Sequence, residues 1–353
     1  MAQFTSSNVS IKGIAACVPK NTESNNDYTH IDEDERKLLI KTTGIEYRRV
    51  VKKGVTGSDV CYEAGEKLIA DLGWNKNEIE LLVYVSQSKD YFAPSTATIL
   101  QDRLGLPKST IAFDSSLGCS GYVYGLSMIS AYMNMTKIKK AILLVGDIST
   151  FALTPLDKST YPLFGDAGTA TALEYDENAS SMHYSLGTDG SGYDAIILPG
   201  GCLRSPYDEE MYKMVEVEKG ITRSKGNVWL KGLDVFTFSV TVVPPSLKEL
   251  MAYANQTPDS IDYFVMHQAN LLMNETIRKK LKIAPEKVPY SLRDFGNTSS
   301  ASIPLTIVTQ LADEINSLNT DKTFMFSGFG VGLSWASVIV KSSKIHISKL
   351  VEI

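Results

Sequence analysis

The chain has 353 residues, 43% of them hydrophobic and 21% charged, with a net charge of −5 and a pI near 5.5. That length covers about two domains on a prior of roughly 150 residues each, with a core to match. The acidic balance offers no global basic field for a nucleic-acid backbone, and no apolar run approaches the roughly 18 residues that span a bilayer.

The N-terminus, Met-Ala-Gln-Phe-Thr-Ser-Ser-Asn, has neither a basic n-region nor an apolar h-region, so a cytoplasmic enzyme without a membrane or nucleic-acid partner is expected. The four cysteines, Cys17, Cys61, Cys119 and Cys202, are far apart and form no C-x-x-C pair. Each is therefore read as a single thiol.

Cys17 lies in a strand-like run (GIAACV) and Cys61 on the face of a helix predicted from Ser58 or Asp59 through Leu72; both read as core. Buried strands are expected at Glu80 to Ser86, Lys140 to Gly146, Tyr263 to Met266 and Thr323 to Ser327. Helical patterns follow Cys119, Pro245 and Asn270, and the alternation argues for an α/β fold with sheets covered on both faces. A weak internal repeat pairs LLVYVSQS, SSLGCSGYVYGL, AILLVGD and GTATALE with YFVMHQAN, FGNTSSASIPL, FMFSGFGVG and SWASVIVK. Two units of about 175 residues joined near Asp176 to Ser180 would account for the length. The loop from Pro199 to Lys219, which carries Cys202, reads as a segment that varies with substrate.

Cys119 sits in Ser115-Ser-Leu-Gly-Cys-Ser-Gly-Tyr, ahead of a helical pattern from Tyr122 to about Met133. Free amides and the positive helix end there are expected to lower the thiol pKa, although a lone cysteine among small residues is commonly just core. His267 follows a predicted strand at the end where α/β folds assemble sites. Asn297, in Phe295-Gly-Asn-Thr-Ser-Ser-Ala-Ser-Ile-Pro, is the second-half counterpart of the Cys119 turn, and ordinary turn chemistry would also explain it. The run Ser327-Gly-Phe-Gly-Val-Gly-Leu lacks the spacing of a phosphate loop but can bring backbone amides close to a reacting carbonyl.

Taken in order, Cys119 in GCSG, LFGDAGTA (163–170), His267 in HQAN, Asn297 in GNTSSAS and GFGVGLSW (328–335), preceded by KTTGIEYRR (41–49), resemble the ketoacyl-ACP synthase III group of thiolase-fold condensing enzymes over nearly the whole chain. The resemblance implies a five-layered αβαβα fold of two related halves, 1–176 carrying Cys119 and 177–353 carrying His267 and Asn297, usually assembled as a homodimer. It also implies a decarboxylative Claisen condensation without metal or organic cofactor. Cys119 would take an acyl group from an acyl carrier protein or CoA thioester, with the backbone amides of Cys119 and Val331 as the oxyanion hole. His267 and Asn297 would bind the carbonyl of a malonyl thioester.

Three positions depart from the family pattern. Leu38, Thr42 and Leu272 stand where the bacterial initiating enzymes carry a Trp and two Arg that grip the CoA nucleotide. Where a partner subunit's Phe often closes the acyl tunnel, this chain has Ala93 after Phe92, so a roomier acyl pocket involving Phe92, Ala93 and Phe329 is expected. Arg278, Lys279 and Lys280 match a carrier-docking cluster, and equally a solvated helix face. Alternative readings are a same-fold acyltransferase acting on an amine or alcohol, a hydroxymethylglutaryl-CoA synthase-like enzyme, which would need a carboxylate where this chain has Gln87, and a silent heterodimer subunit.

Overall fold

The computed structural model describes residues 2–317, 320–342 and 344–353. Each apolar run becomes a strand buried on both faces: Leu81–Val85 is buried at every position, and Lys140–Asp147 at all but its first. The predicted strand at Thr323 to Ser327 is longer, Lys322–Gly330, so the first glycines of the GFGVG run lie inside a strand rather than after it.

Two mixed sheets result. The first orders its strands 346–347, 9–18, 167–175, 140–147, 81–85 and 111–115; the second orders them 2–6, 182–188, 334–342, 322–330 and 263–266. Strands 9–18, 167–175 and 140–147 pair antiparallel, and 81–85 then adds parallel to 140–147. Strands 182–188, 334–342 and 322–330 repeat that antiparallel series, and 263–266 adds parallel. The sheets thus share one topology, which is the repeat visible in the sequence. Their termini cross, however: residues 2–6 pair with 182–188, while 346–347 and 351–352 pair with 9–18. A division at 176/177 separates the sheets except for these exchanged strands.

The core has three apolar clusters that define the layers. Helices Gly57–Asp71 and Thr96–Arg103 cover the outer face of the first sheet, Gly232–Tyr253 and Leu271–Lys280 cover the outer face of the second, and Gly121–Thr136 and Ser302–Gln310 lie between the two. The result is the five-layered αβαβα arrangement.

Two helix starts differ from expectation. Helix Gly57–Asp71 is capped ahead of Ser58 and Asp59, by a capping box in which Thr56 accepts from the Asp59 N–H and the Asp59 carboxylate accepts from the Thr56 N–H. Helix Gly232–Tyr253 does not begin after Pro245 but runs through Pro244 and Pro245. Proline supplies no N–H to the carbonyl four residues back. For Pro244 that carbonyl is Val240, and the Lys280 ammonium donates to it at 2.9 Å. No helix among the described residues is long and apolar enough to cross a membrane.

Candidate active site

Cys119 lies between strand Ile111–Ser115 and helix Gly121–Thr136 in the central layer. Close packing there requires glycine. A Cβ on Gly121 would lie 2.7 Å from Val85 Cγ1, one on Gly328 2.6 Å from the Cys119 carbonyl oxygen, and one on Gly330 2.8 Å from the Cys119 sulfur. The end of strand Lys322–Gly330 therefore lies against the thiol.

The thiol is not activated in the way its position at a helix start suggested. Burial pushes its pKa up to about 11, and the nearby Asp147 carboxylate pushes the same way. The backbone N–H groups of Val331 and Cys119 and the Ser299 hydroxyl act in the opposite sense and offset part of this rise. Desolvation of a fully enclosed sulfur outweighs the helix end.

His267 is fixed by its backbone and its ring. Its N–H donates to the Ser327 carbonyl at 2.8 Å, and ring Nδ1 lies 2.8 Å from Ser302 Oγ. That hydroxyl accepts from the Gln268 N–H at 3.3 Å and can donate its own proton to Nδ1, an arrangement that leaves the ring proton on Nε2. Burial pulls the His267 pKa down to about 3, with the Ser299 backbone acting in the opposite sense. The imidazole is therefore neutral at physiological pH. Phe329 packs edge-on against it.

Asn297 owes its place to the LFGDAGTA segment. Its N–H donates to Leu163 O at 2.9 Å and its carbonyl accepts from Gly165 N–H at 3.0 Å. Its side-chain Oδ1 accepts from Ser299 N–H at 2.9 Å, which leaves the amide Nδ2 as the free donor. The KTTGIEYRR segment supports the same region from behind, since buried Arg48 donates to the Phe164 carbonyl at 3.0 Å.

Cys119, His267, Asn297, Gly330 and Val331 all line one cavity of about 450 Å³, within the roughly 300–1,000 Å³ of ligand pockets. Its walls are largely apolar, with Phe151, Leu163, Ile197, Val235 and Phe329 among them, and the 199–219 loop contributes Gly200 and Cys202. Cys17 and Cys61 are buried in the core as expected.

Other expected site residues lie elsewhere. Phe92 is 82% exposed and stands beside Cys202, Leu203 and Arg204 on the outer surface; neither it nor Ala93 lines the cavity. The Phe92–Ala93 segment turns outward, so within one chain only Phe329 of the three expected acyl-pocket residues meets the cavity. Arg278 is tied to Glu275 through two bonds of 2.8 Å and to the Ile283 carbonyl at 2.7 Å, and Lys280 to Val240. Arg278 thus serves its own helix and the turn after it, and Lys280 serves helix Gly232–Tyr253; of the three only the Lys279 side chain is without an internal partner among the described residues. Leu38 is 63% exposed, and its helix Glu33–Thr43 packs against the helix that carries exposed Leu272.

Three residues were missed in the sequence, and a fourth, Gln87, was weighed only as the absence of a carboxylate. Gln87 and Asp147 line the cavity, Ser299 contacts Asn297, and Ser302 holds the histidine ring. An acid closing the otherwise apolar run KAILLVGD was the available signal for Asp147. The serines are hidden in a small-residue turn that reads as turn chemistry.

Most of the chain is similar to known proteins. Residues 113–190 match the family described as 3-Oxoacyl-[acyl-carrier-protein (ACP)] synthase III, and residues 251–342 match its C-terminal part. The chain is 32% identical to a beta-ketoacyl-[acyl-carrier-protein] synthase III of Staphylococcus saprophyticus, covering 95% of this chain and 99% of that protein. It is 31% identical to the Clostridium acetobutylicum protein of the same name, over 95% and 99%. A solved 3-oxoacyl-(acyl-carrier protein) synthase from Burkholderia xenovorans superposes with a TM-score of 0.92 at 35% identity, covering 100% of this chain and 99% of that one.

Proposed function

This chain belongs to the 3-oxoacyl-[acyl-carrier-protein] synthase III family, and from that premise we propose that it condenses an acyl group held on Cys119 with a malonyl thioester, releasing carbon dioxide. The observation that carries the reading is the placing of the Cys119 sulfur, the neutral His267 ring and the free Asn297 amide on one cavity.

In the first half-reaction the Cys119 sulfur attacks an acyl thioester. The carbonyl oxygen takes up negative charge beside the N–H groups of Cys119 and Val331, the same two that pull the thiol pKa downward. Collapse expels the donor thiolate, which leaves with the proton lost from Cys119. In the second half-reaction His267 Nε2–H and Asn297 Nδ2–H donate to the malonyl thioester carbonyl. Loss of carbon dioxide leaves an enolate on that oxygen, where both donors bind it more tightly than the starting ester. The enolate carbon attacks the acyl group, and the Cys119 thiolate is expelled and reprotonated. A neutral histidine suits this role, because it gives a hydrogen bond without transferring its proton.

Asn297 favours condensation over plain acyl transfer, since transfer to an amine or alcohol has no decarboxylation to assist. The cavity walls support a primer longer than acetyl, and apolar Leu38 and Leu272 support delivery on a carrier protein over a CoA nucleotide. Phe92 and the exposed Leu203 beside it support a homodimer in which this surface meets a second copy. The cytoplasm is the compartment that supplies these thioesters.

The test incubates the enzyme with acyl-CoA and acyl-carrier donors of increasing chain length and reads the Cys119 adduct by intact-protein mass spectrometry. Malonyl thioester labelled at its free carboxylate is then added. The expected outcome is an acyl adduct followed by labelled carbon dioxide and a 3-oxoacyl product. Labelling by acetyl and propionyl alone would sink the longer primer. Full activity of Cys119→Ser would sink the whole reading.

A further inference from the structure

The cavity wall carries a carboxylate that the condensation chemistry above does not use. Asp147 ends strand Lys140–Asp147, is 3% exposed, and among the described residues has no cation as a hydrogen-bond or ion-pair partner. Both of its oxygens are occupied. Oδ1 accepts from Gln87 N–H at 2.7 Å and Ser86 Oγ at 3.1 Å; Oδ2 accepts from Ser300 Oγ at 2.6 Å and Ser300 N–H at 3.3 Å.

A carboxylate so saturated with donors has little free lone-pair capacity to act as a base toward substrate. Its partners define its use. Ser86 and Gln87 follow strand Leu81–Val85 of the first sheet, whereas Ser300 belongs to the turn that carries Asn297. Asp147 therefore joins the two halves at the reacting centre. Burying an anion without a counter-charge is costly unless several donors surround it, so the arrangement persists only where the surrounding structure supports it.

Next to Ser300, Ser299 holds a left-handed backbone at φ 50°, uncommon for a residue other than glycine. From that conformation its N–H donates to Asn297 Oδ1 at 2.9 Å, while its backbone raises the His267 pKa and its hydroxyl lowers those of Cys119 and Asp147. Ser299 thus orients Asn297 and bears electrostatically on the other two reacting side chains, and Asp147 grips the residue after it.

We infer that Asp147 is a positioning residue for the condensation half-reaction, clamping Ser300 so that the adjoining Ser299 holds Asn297 in its donor orientation. This rests on the proposed condensation. It carries a second consequence, because the same negative charge disfavours the Cys119 thiolate. Of the other titratable groups on this cavity, His267 is neutral and Cys202 lies on the 199–219 loop.

The two effects separate in variants of the whole enzyme. Asp147→Asn keeps the shape and removes the charge, so carbon dioxide release from malonyl thioester should fall about tenfold or more, with acyl loading reduced less. The pH midpoint of Cys119 alkylation by iodoacetamide should also move downward. Ser300→Ala loosens the clamp but keeps the charge, so carbon dioxide release should fall while the alkylation midpoint stays. Release within about twofold of wild type in either variant, or equal loss in both half-reactions with an unmoved midpoint in Asp147→Asn, would overturn the inference. If Asp147→Asn does not fold, the Ser300→Ala result decides. A wild-type enzyme that releases no carbon dioxide removes the proposed function and this inference together, whereas an active wild type with indifferent variants removes this inference alone.

Discussion

The resting Cys119 is a protonated thiol in a closed site, which is an unusual state for a nucleophile. With its pKa pushed to about 11, alkylation by a small neutral reagent should accelerate up to and beyond pH 9 in the free enzyme. A rate that levels off near pH 7 would contradict this. The thiol also depends on the absence of a side chain beside it: Gly330 has φ 152°, and a Cβ there would meet the sulfur at 2.8 Å. Gly330→Ala should lower acyl loading by about a hundredfold or more, measured as the rate of adduct formation; loading at the wild-type rate would refute the close approach. His267 makes a pH prediction of opposite sense. Its pKa falls from 6.5 unfolded to about 3 folded, so its neutral form contributes fully to stability above pH 6.5 and the contribution is lost as pH falls toward 3. Urea midpoints at about pH 7.5 and about pH 5 should therefore differ less in His267→Asn than in the wild type. Equal differences would exclude His267 as the source. At this scale the sequence was informative about identity and poor on environment. Cys119, His267 and Asn297 were legible from ordered motifs, but the sign of the thiol's pKa shift depends on enclosure by strand Lys322–Gly330 and on Asp147, both remote in sequence.

Helix Gly232–Tyr253 illustrates how a local rule yields to a tertiary contact. Two prolines read as the start of a helix because each removes a backbone donor. The helix continues because its buried face packs on the second sheet and Lys280 supplies a donor to the Val240 carbonyl. Lys280→Ala should cost about 1 kcal/mol or less by chemical denaturation, since the ammonium is exposed. The same substitution in a Pro244→Ala background, where residue 244 regains an N–H for that carbonyl, should cost measurably less. Equal costs in both backgrounds would mean that the bond does not compensate for the proline. No pattern in the sequence links residue 280 to residue 240, which is why the cation was read as available for docking. The central strands, in contrast, were legible in place and type, because a run buried on both faces must be apolar throughout, although strand Lys322–Gly330 extends past the run expected at Thr323 to Ser327.

For the molecule as a whole, the repeat predicted two similar units, and the sheets do share one topology. The exchange of terminal strands was not legible, because edge pairing leaves no periodic trace in short segments such as 2–6 and 346–347. It implies that the halves fold together. A 1–176 fragment loses both C-terminal strands and the central helix Ser302–Gln310 that packs with it. Circular dichroism should show no cooperative thermal transition for that fragment, whereas the full chain should melt in one step; a fragment with its own sharp transition would contradict this. The Val331 amide adds a temporal consequence. A ribosome translates Cys119 long before the glycine-rich strand end that lies against its sulfur, so a nascent or prematurely terminated chain has the thiol without that amide, without His267 and without Asn297. Competence to condense the acyl group is thus acquired only once the chain has been made through Val331 and folded against Cys119.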